Sequence, residues 1–202
     1  MNKKLLKMVK EEKLFPILRC NDAKSTIDIA KAIIDGGAKV IEINAENPEA
    51  YKVIQEISEH ATVCAGGIIT SQQAQASIDV GAKILSSPIF HINLLKISKD
   101  KQIPYIAGTS TANEAYTAWK ARIPLIKIFP ITPMGGAMYV EDLLRHMPFL
   151  NIMPIGSVKL EEVSSYIRAG AASVGIGRGL YEGFSFNEIT HRTETILAEL
   201  KA

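Results

Sequence analysis

Eight times along this chain a short, almost uninterrupted apolar run gives way to a stretch with helical spacing, and this alternation constrains the fold more than any other feature. The apolar runs predict strands at Leu14–Arg19, Lys39–Asn44, Thr62–Gly66, Lys83–Pro88, Pro104–Gly108, Pro124–Pro130, Asn151–Pro154 and Ser173–Ile176. Strands that are apolar throughout, rather than alternating, are covered on both faces, as in a parallel sheet wrapped by helices. Between them the spacing predicts helices over Ser25–Ile34, about Pro48–His60, from Thr70 to Gly81, near Asn93–Ser98, from Thr111 to about Ala121, about Val140–His146, about Leu160–Ala169 and about Asn187–Lys201. Thr70-Ser-Gln-Gln73 and Thr111-Ala-Asn-Glu114 are capping boxes. Residues 3–12 form a leading helix whose Leu5, Leu6, Met8 and Val9 could cap the bottom of a core, and Pro130–Gly136 reads as a Pro/Gly-rich loop.

Eight strand–helix pairs make a (β/α)8 TIM barrel, here with an extra N-terminal helix. An internal echo agrees: Gly37-Ala-Lys-Val40, Gly81-Ala-Lys-Ile84 and Gly170-Ala-Ala-Ser-Val174 each carry a helix end into a strand, with glycines 44 and 89 residues apart, close to two and four βα units. The competing arrangement is an open doubly wound sheet, because pattern alone does not show closure. At 202 residues the expectation is one domain, 1–202, with no linker and almost no insertions.

Two strands carry a charge in their middle. In Pro124-Leu-Ile-Lys-Ile-Phe-Pro130 it is Lys127, and a lone ammonium among isoleucines is costly to bury. Burial drives such a lysine toward its neutral amine, a nucleophile able to form a Schiff base with a ketone or aldehyde, unless it is simply half of a structural ion pair. In Val40-Ile-Glu-Ile43 it is Glu42, which shares one strand face with Val40 and Asn44 while Ile41 and Ile43 take the other. If that face points into the barrel, Glu42 and Lys127 meet across it, and the carboxylate can shuttle protons for imine chemistry.

Late in the chain, Ile155-Gly-Ser157 and Gly175-Ile-Gly-Arg-Gly179 follow strands seven and eight, where such barrels often hold a phosphate on backbone N–H groups. Gly156, Ser157, Gly177 and Arg178 are the candidate residues; tight turns would use the same glycines. His60, His91, His146 and His191 have no ligand spacing to one another or to Cys20 and Cys64, so no metal site and no cofactor is expected. Cys64 reads as a small core residue. A net charge of +2 with scattered basic residues gives no case for nucleic acid or a membrane surface. The N-terminus lacks the apolar run of a signal peptide, and a cytoplasmic location is expected.

At Lys39-Val-Ile-Glu-Ile43, Val63-Cys-Ala-Gly66, Ser87-Pro88, Ile103-Pro-Tyr-Ile-Ala-Gly-Thr-Ser-Thr111 and Ile126-Lys-Ile-Phe-Pro130 the chain resembles the 2-keto-3-deoxy-6-phosphogluconate/4-hydroxy-2-oxoglutarate aldolase family, essentially end to end. The resemblance implies a homotrimeric class I aldolase that needs no metal and cleaves a 2-oxo acid, phosphorylated or not, to pyruvate and an aldehyde. It makes Lys127 the Schiff-base lysine and Glu42 the general acid/base. The substrate-binding candidates are then Arg19, at the end of strand one, with Gly66, Gly67, Pro88 and Phe129, joined by Gly156, Ser157, Gly177 and Arg178 of the late loops. Departures stand out against it. Cys64-Ala-Gly-Gly67 replaces a Gly-Ala-Gly-Thr, Glu46 stands where many members carry arginine, Ile155-Gly156-Ser157 replaces Thr-Gly-Gly, and Arg178 replaces a serine. Retained catalytic residues with altered substrate-holding ones imply shifted specificity. An isomerase or epimerase on the same barrel, or a binding protein that has lost turnover, are the alternatives.

Overall fold

A computed structural model describes residues 3–201, and side chains from Lys7 onward. Eight parallel strands form one sheet: β1 (Leu14–Arg19), β2 (Val40–Asn44), β3 (Thr62–Gly66), β4 (Ile84–Ser87), β5 (Tyr105–Thr109), β6 (Ile126–Ile128), β7 (Ile152–Pro154) and β8 (Val174–Ile176). From β1 to β7 each strand pairs with its neighbour in sequence, and β1 also pairs with β8, Leu14 opposite Val174. Between β7 and β8 the bond from Ala172 N–H to Ile152 O, 2.9 Å, bridges the remaining seam. The sheet is therefore a nearly closed barrel, and the open-sheet alternative is set aside.

The helices are α1 (Lys3–Glu12), α2 (Ala23–Asp35), α3 (Pro48–Ile57), α4 (Ser71–Asp79), α5 (Ile92–Asp100), α6 (Ala112–Lys120), α7 (Ile131–Met134), α8 (Ala137–His146), α9 (Val163–Arg168), α10 (Arg178–Tyr181) and α11 (Phe186–Lys201). Both capping boxes form: Thr70 accepts from Gln73 N–H and Thr111 from Glu114 N–H, while the two N3 side chains reach back. Two elements differ from the expectation. The supposed loop 130–136 contains α7, and α10 follows β8 directly; at four residues each, neither is long enough to show a helical period.

Inward and outward residues separate cleanly. Ile41, Ile43, Leu85 and Val174 join the large core between sheet and helices, whereas Val9, Phe15, Val40, Cys64, Ile84, Ile106, Leu125 and Met153 pack together inside the barrel. The alternation read from Val40-Ile-Glu-Ile43 is thus correct. Val9 of α1, fully buried, plugs the bottom; the side chains of Leu5 and Leu6 lie outside the described ones.

Register orders the interior into layers of four from alternate strands, as tilt and stagger in a closed eight-stranded barrel require. The known pairings are Ile17 with Glu42, Glu42 with Cys64, Cys64 with Ile84, Ser86 with Ile106, Gly108 with Lys127, Lys127 with Met153 and Phe15 with Gly175. From the bottom, the first layer is Val40, Ile84, Leu125 and Ser173; the second is Phe15, Cys64, Ile106 and Met153. The third is Glu42, Ser86, Lys127 and Gly175. The fourth, toward the mouth, is Ile17, Gly66, Gly108 and Ile155.

Candidate active site

The third layer holds the two buried charges. Lys127 Nζ donates to Glu42 Oε1 at 2.7 Å and Oε2 at 2.5 Å, and each residue is only 2% exposed. Neither ion could be left in this layer without the other, since breaking a buried pair strands a desolvated charge. From the layer below, Cys64 donates its S–H to Glu42 Oε2 at 3.5 Å. Burial, with Glu42's charge beside it, pushes the Cys64 thiol well up, so it remains a protonated donor. The Phe15 ring lies beneath the ammonium, 5.8 Å from Nζ to centroid, within cation–π range.

Above the pair, glycines make the room. A Cβ on Gly66 would fall on Glu42 Oε1, and one on Gly108 would fall on the Pro88 backbone carbonyl. Gly108, beside Lys127 in register, thereby lets Pro88 fold over the mouth. At the rim between β2 and β3, Asn44 Nδ2 donates to Glu46 Oε1 at 3.2 Å, and Glu46 is exposed. Gly67 has φ +66°, left-handed backbone that a β-branched residue avoids. A threonine placed there would be strained. Arg19, exposed at the end of β1, is opposite Asn44.

The β6–β7 rim joins three more candidates. Gly156 lies against Phe129 and Pro130, close enough that an added Cβ would be 3.1 Å from Pro130 Cα, and its carbonyl accepts from Thr132 Oγ1 at 2.7 Å. Gly156 and Ser157 are both left-handed, at φ +107° and +55°. Ser110 Oγ donates to Phe129 O at 2.6 Å and Thr109 Oγ1 to Lys127 O at 3.1 Å, tying β6 to β5; the sequence reading passed over both.

In the β8–β1 rim, Gly177 opens α10 with nothing nearer to an added Cβ than Ile17 O at 3.7 Å. Gly175 belongs elsewhere. It lies inside β8, and the corner it leaves in the third layer is filled by Ile155 from above, so the first glycine of Gly175-Ile-Gly-Arg-Gly179 serves packing and not an anion loop. Arg178 is exposed and 3.7 Å from Glu182, a contact that contributes little at that exposure. Tyr181, also missed from sequence, is in this rim: burial, with Glu182's charge, raises its phenol, while the Arg19 backbone and the charges of Arg178 and Arg19 act the other way.

Among the described residues, no three His, Cys, Asp or Glu side chains gather as a metal site, and no helix is long and apolar enough to cross a membrane. A surface groove runs past Ala38, Lys39, His60 and Thr62 at the opposite end of the barrel, the end where such folds place stability rather than chemistry.

A sequence profile described as KDPG and KHG aldolase matches residues 5–188. The chain belongs to this aldolase family. As a member it is a carbon–carbon lyase acting on a small molecule. It is 28% identical to the 2-dehydro-3-deoxy-6-phosphogalactonate aldolase of Escherichia coli (strain K12) over 173 residues, 83% of this chain and 84% of that one. To a probable 2-dehydro-3-deoxy-6-phosphogalactonate aldolase of Rhizobium meliloti it is 27% identical over 199 residues, 95% and 93% of the two chains. In fold it is similar to the KDPG aldolase of Legionella pneumophila, solved with pyruvate captured as a covalent carbinolamine, with a TM-score of 0.85, 21% identity and coverage of 94% of this chain and 96% of that one.

Proposed function

We propose that this aldolase works through a Schiff base on Lys127, with Glu42 as its proton carrier, and releases pyruvate from a 2-oxo acid. The observation that carries this reading is the buried Lys127–Glu42 contact of 2.5–2.7 Å beneath a glycine-lined mouth. Glu42 takes a proton from the ammonium, the free amine adds to C2, and loss of water leaves an iminium that withdraws electrons from C3. Glu42 then removes the proton of the C4 hydroxyl, the C3–C4 bond breaks into an enamine, and the aldehyde departs. Protonation at C3 and hydrolysis free pyruvate. The carbinolamine named for the Legionella relative is consistent with this chemistry.

For the substrate's ends, Gly66 and Gly67 of the β2–β3 rim and Pro88 after β4 face the pyruvyl part, and the rims carrying Phe129, Gly156, Ser157, Gly177 and Arg178 face the distal part. Arg178 offers a two-pronged donor to a distal phosphate or carboxylate. Glu46, where many relatives are read to carry arginine, opposes a carboxylate at its rim, and Arg19 is the remaining cation there. Cleavage of 2-keto-3-deoxy-6-phosphogluconate is therefore expected to be weak, and Glu46→Arg alone, without the strained Gly67→Thr, raises kcat/KM for it at least about tenfold, since two like charges about 4 Å apart repel by roughly 4 kcal/mol. Wild-type kcat/KM already at about 10⁴ M⁻¹s⁻¹ or more would refute the specificity argument. We further propose a cytoplasmic homotrimer whose residues 1–202 act as one domain.

The deciding experiment is borohydride reduction in the presence of pyruvate. One reduced pyruvyl mass is expected on the wild type and none on Lys127→Met; equal labelling of the variant would overturn the assignment.

A further inference from the structure

The third layer of the barrel contains one polar side chain that the mechanism above leaves idle. Ser86 is fully buried, and its Oγ has no hydrogen-bond partner. It points inward, because Ile84, two residues earlier, belongs to the barrel interior while Leu85 packs outside, and because its register partner Ile106 is interior too. The layer therefore consists of Glu42, Ser86 and Lys127, with the corner left by Gly175 occupied by Ile155. Cys64 and Lys127 already satisfy Glu42, so the free hydroxyl has no acceptor within the resting site. An alanine would fill the same space without burying an unpaired donor, and an orphan of this kind calls for an explanation.

We propose that Ser86 is a further hydrogen-bonding residue of the reaction, its hydroxyl donating to the oxygen on C2 once Lys127 has added there. This rests on the Schiff-base reading. As the Nζ–C2 bond forms, the π pair of the C2 carbonyl moves onto oxygen, which carries negative charge until it takes the proton that Glu42 removed from the ammonium. Glu42 next accepts a proton from nitrogen and returns it to the C2 hydroxyl; the C2–O bond breaks, its electron pair leaves with the water, and the nitrogen lone pair closes the C=N bond. Ser86 keeps its own proton throughout. A fixed donor aimed at an oxygen that gains charge lowers the barrier most where water is excluded, as in this layer. Glu42, occupied with successive proton transfers, cannot also hold that oxygen at every step.

The test compares wild type, Ser86→Ala and Ser86→Cys by the rate of pyruvate adduct formation, quenched with borohydride in a single turnover, and by thermal unfolding. Ser86→Ala should form the adduct about ten- to a hundredfold more slowly, at saturating pyruvate and with the half-saturating concentration unchanged within twofold. Its Tm should equal or exceed that of the wild type, because the hydroxyl it loses is unpaired. Ser86→Cys, similar in size with a weaker donor, should fall between the two. Adduct formation by Ser86→Ala within twofold of wild type would overturn the proposal, as would a Tm several degrees lower, which would reveal a structural partner. A wild type that forms no adduct at all is a different result: it removes the Schiff-base reading and this proposal with it.

Discussion

Lys127 and Glu42 satisfy each other in a layer with almost no solvent, so neither can be changed without exposing the other. Glu42→Gln should slow adduct formation and cleavage by about 10²–10⁴-fold, the usual contribution of a positioned acid/base; a change below threefold would reduce Glu42 to a structural counter-ion. Urea unfolding should show Lys127→Met and Glu42→Gln each destabilised by about 3–5 kcal/mol, with the double variant less destabilised than either, because it buries no unpaired charge. Simple addition of the two losses would contradict a coupled pair. Cys64 is expected to resist iodoacetamide at pH 8.5 in the native protein and to react in urea, since its folded environment holds the thiol well above its ordinary range and the thiolate is scarce until higher pH. Both charged residues were legible in the sequence because a charge inside an apolar strand is conspicuous. Ser86 was not: a serine in Ile84-Leu-Ser-Ser87 is unremarkable until register puts it level with Lys127.

Strand–helix alternation, the two capping boxes and the glycine stops carried most of the elements, since each has a local physical cause. What escaped is also local in cause. Both α7 and α10 are single turns set by the chain reversals after β6 and β8, and Gly135, at φ +115°, ends the first of them. The role of Gly175 could not be read from its motif, because a Gly-x-Gly-x-Gly string looks alike whether its first glycine faces a ligand or, as here, Ile155. At this scale Thr111→Ala is informative. It removes the acceptor for Glu114 N–H on the outside of the barrel, so a loss of about 1 kcal/mol, seen as a Tm lower by roughly 2–4 °C, should accompany unchanged kcat. A fall in kcat would mean that α6 positions β6 more directly than its cap suggests.

Closure of the sheet could not be read from pattern, because it depends on β8 finding β1 at opposite ends of the chain; Val174 N–H bonds to Lys13 O at 2.7 Å to make that join. Sedimentation should return about three times 22.0 kDa if the proposed trimer forms, and a monomer mass would reject it. The plug of α1 has a kinetic meaning of its own. With Val9, Phe15 and Met153 stopping the barrel below Lys127, the doorway to Lys127 among the described residues is at the mouth. Aldehyde must vacate that doorway before water can reach the imine and before pyruvate can follow, so product release is ordered by architecture. Pyruvate, last to leave and bound to the free enzyme, should then inhibit cleavage competitively, whereas the aldehyde, which meets only the pyruvyl enzyme, should inhibit noncompetitively.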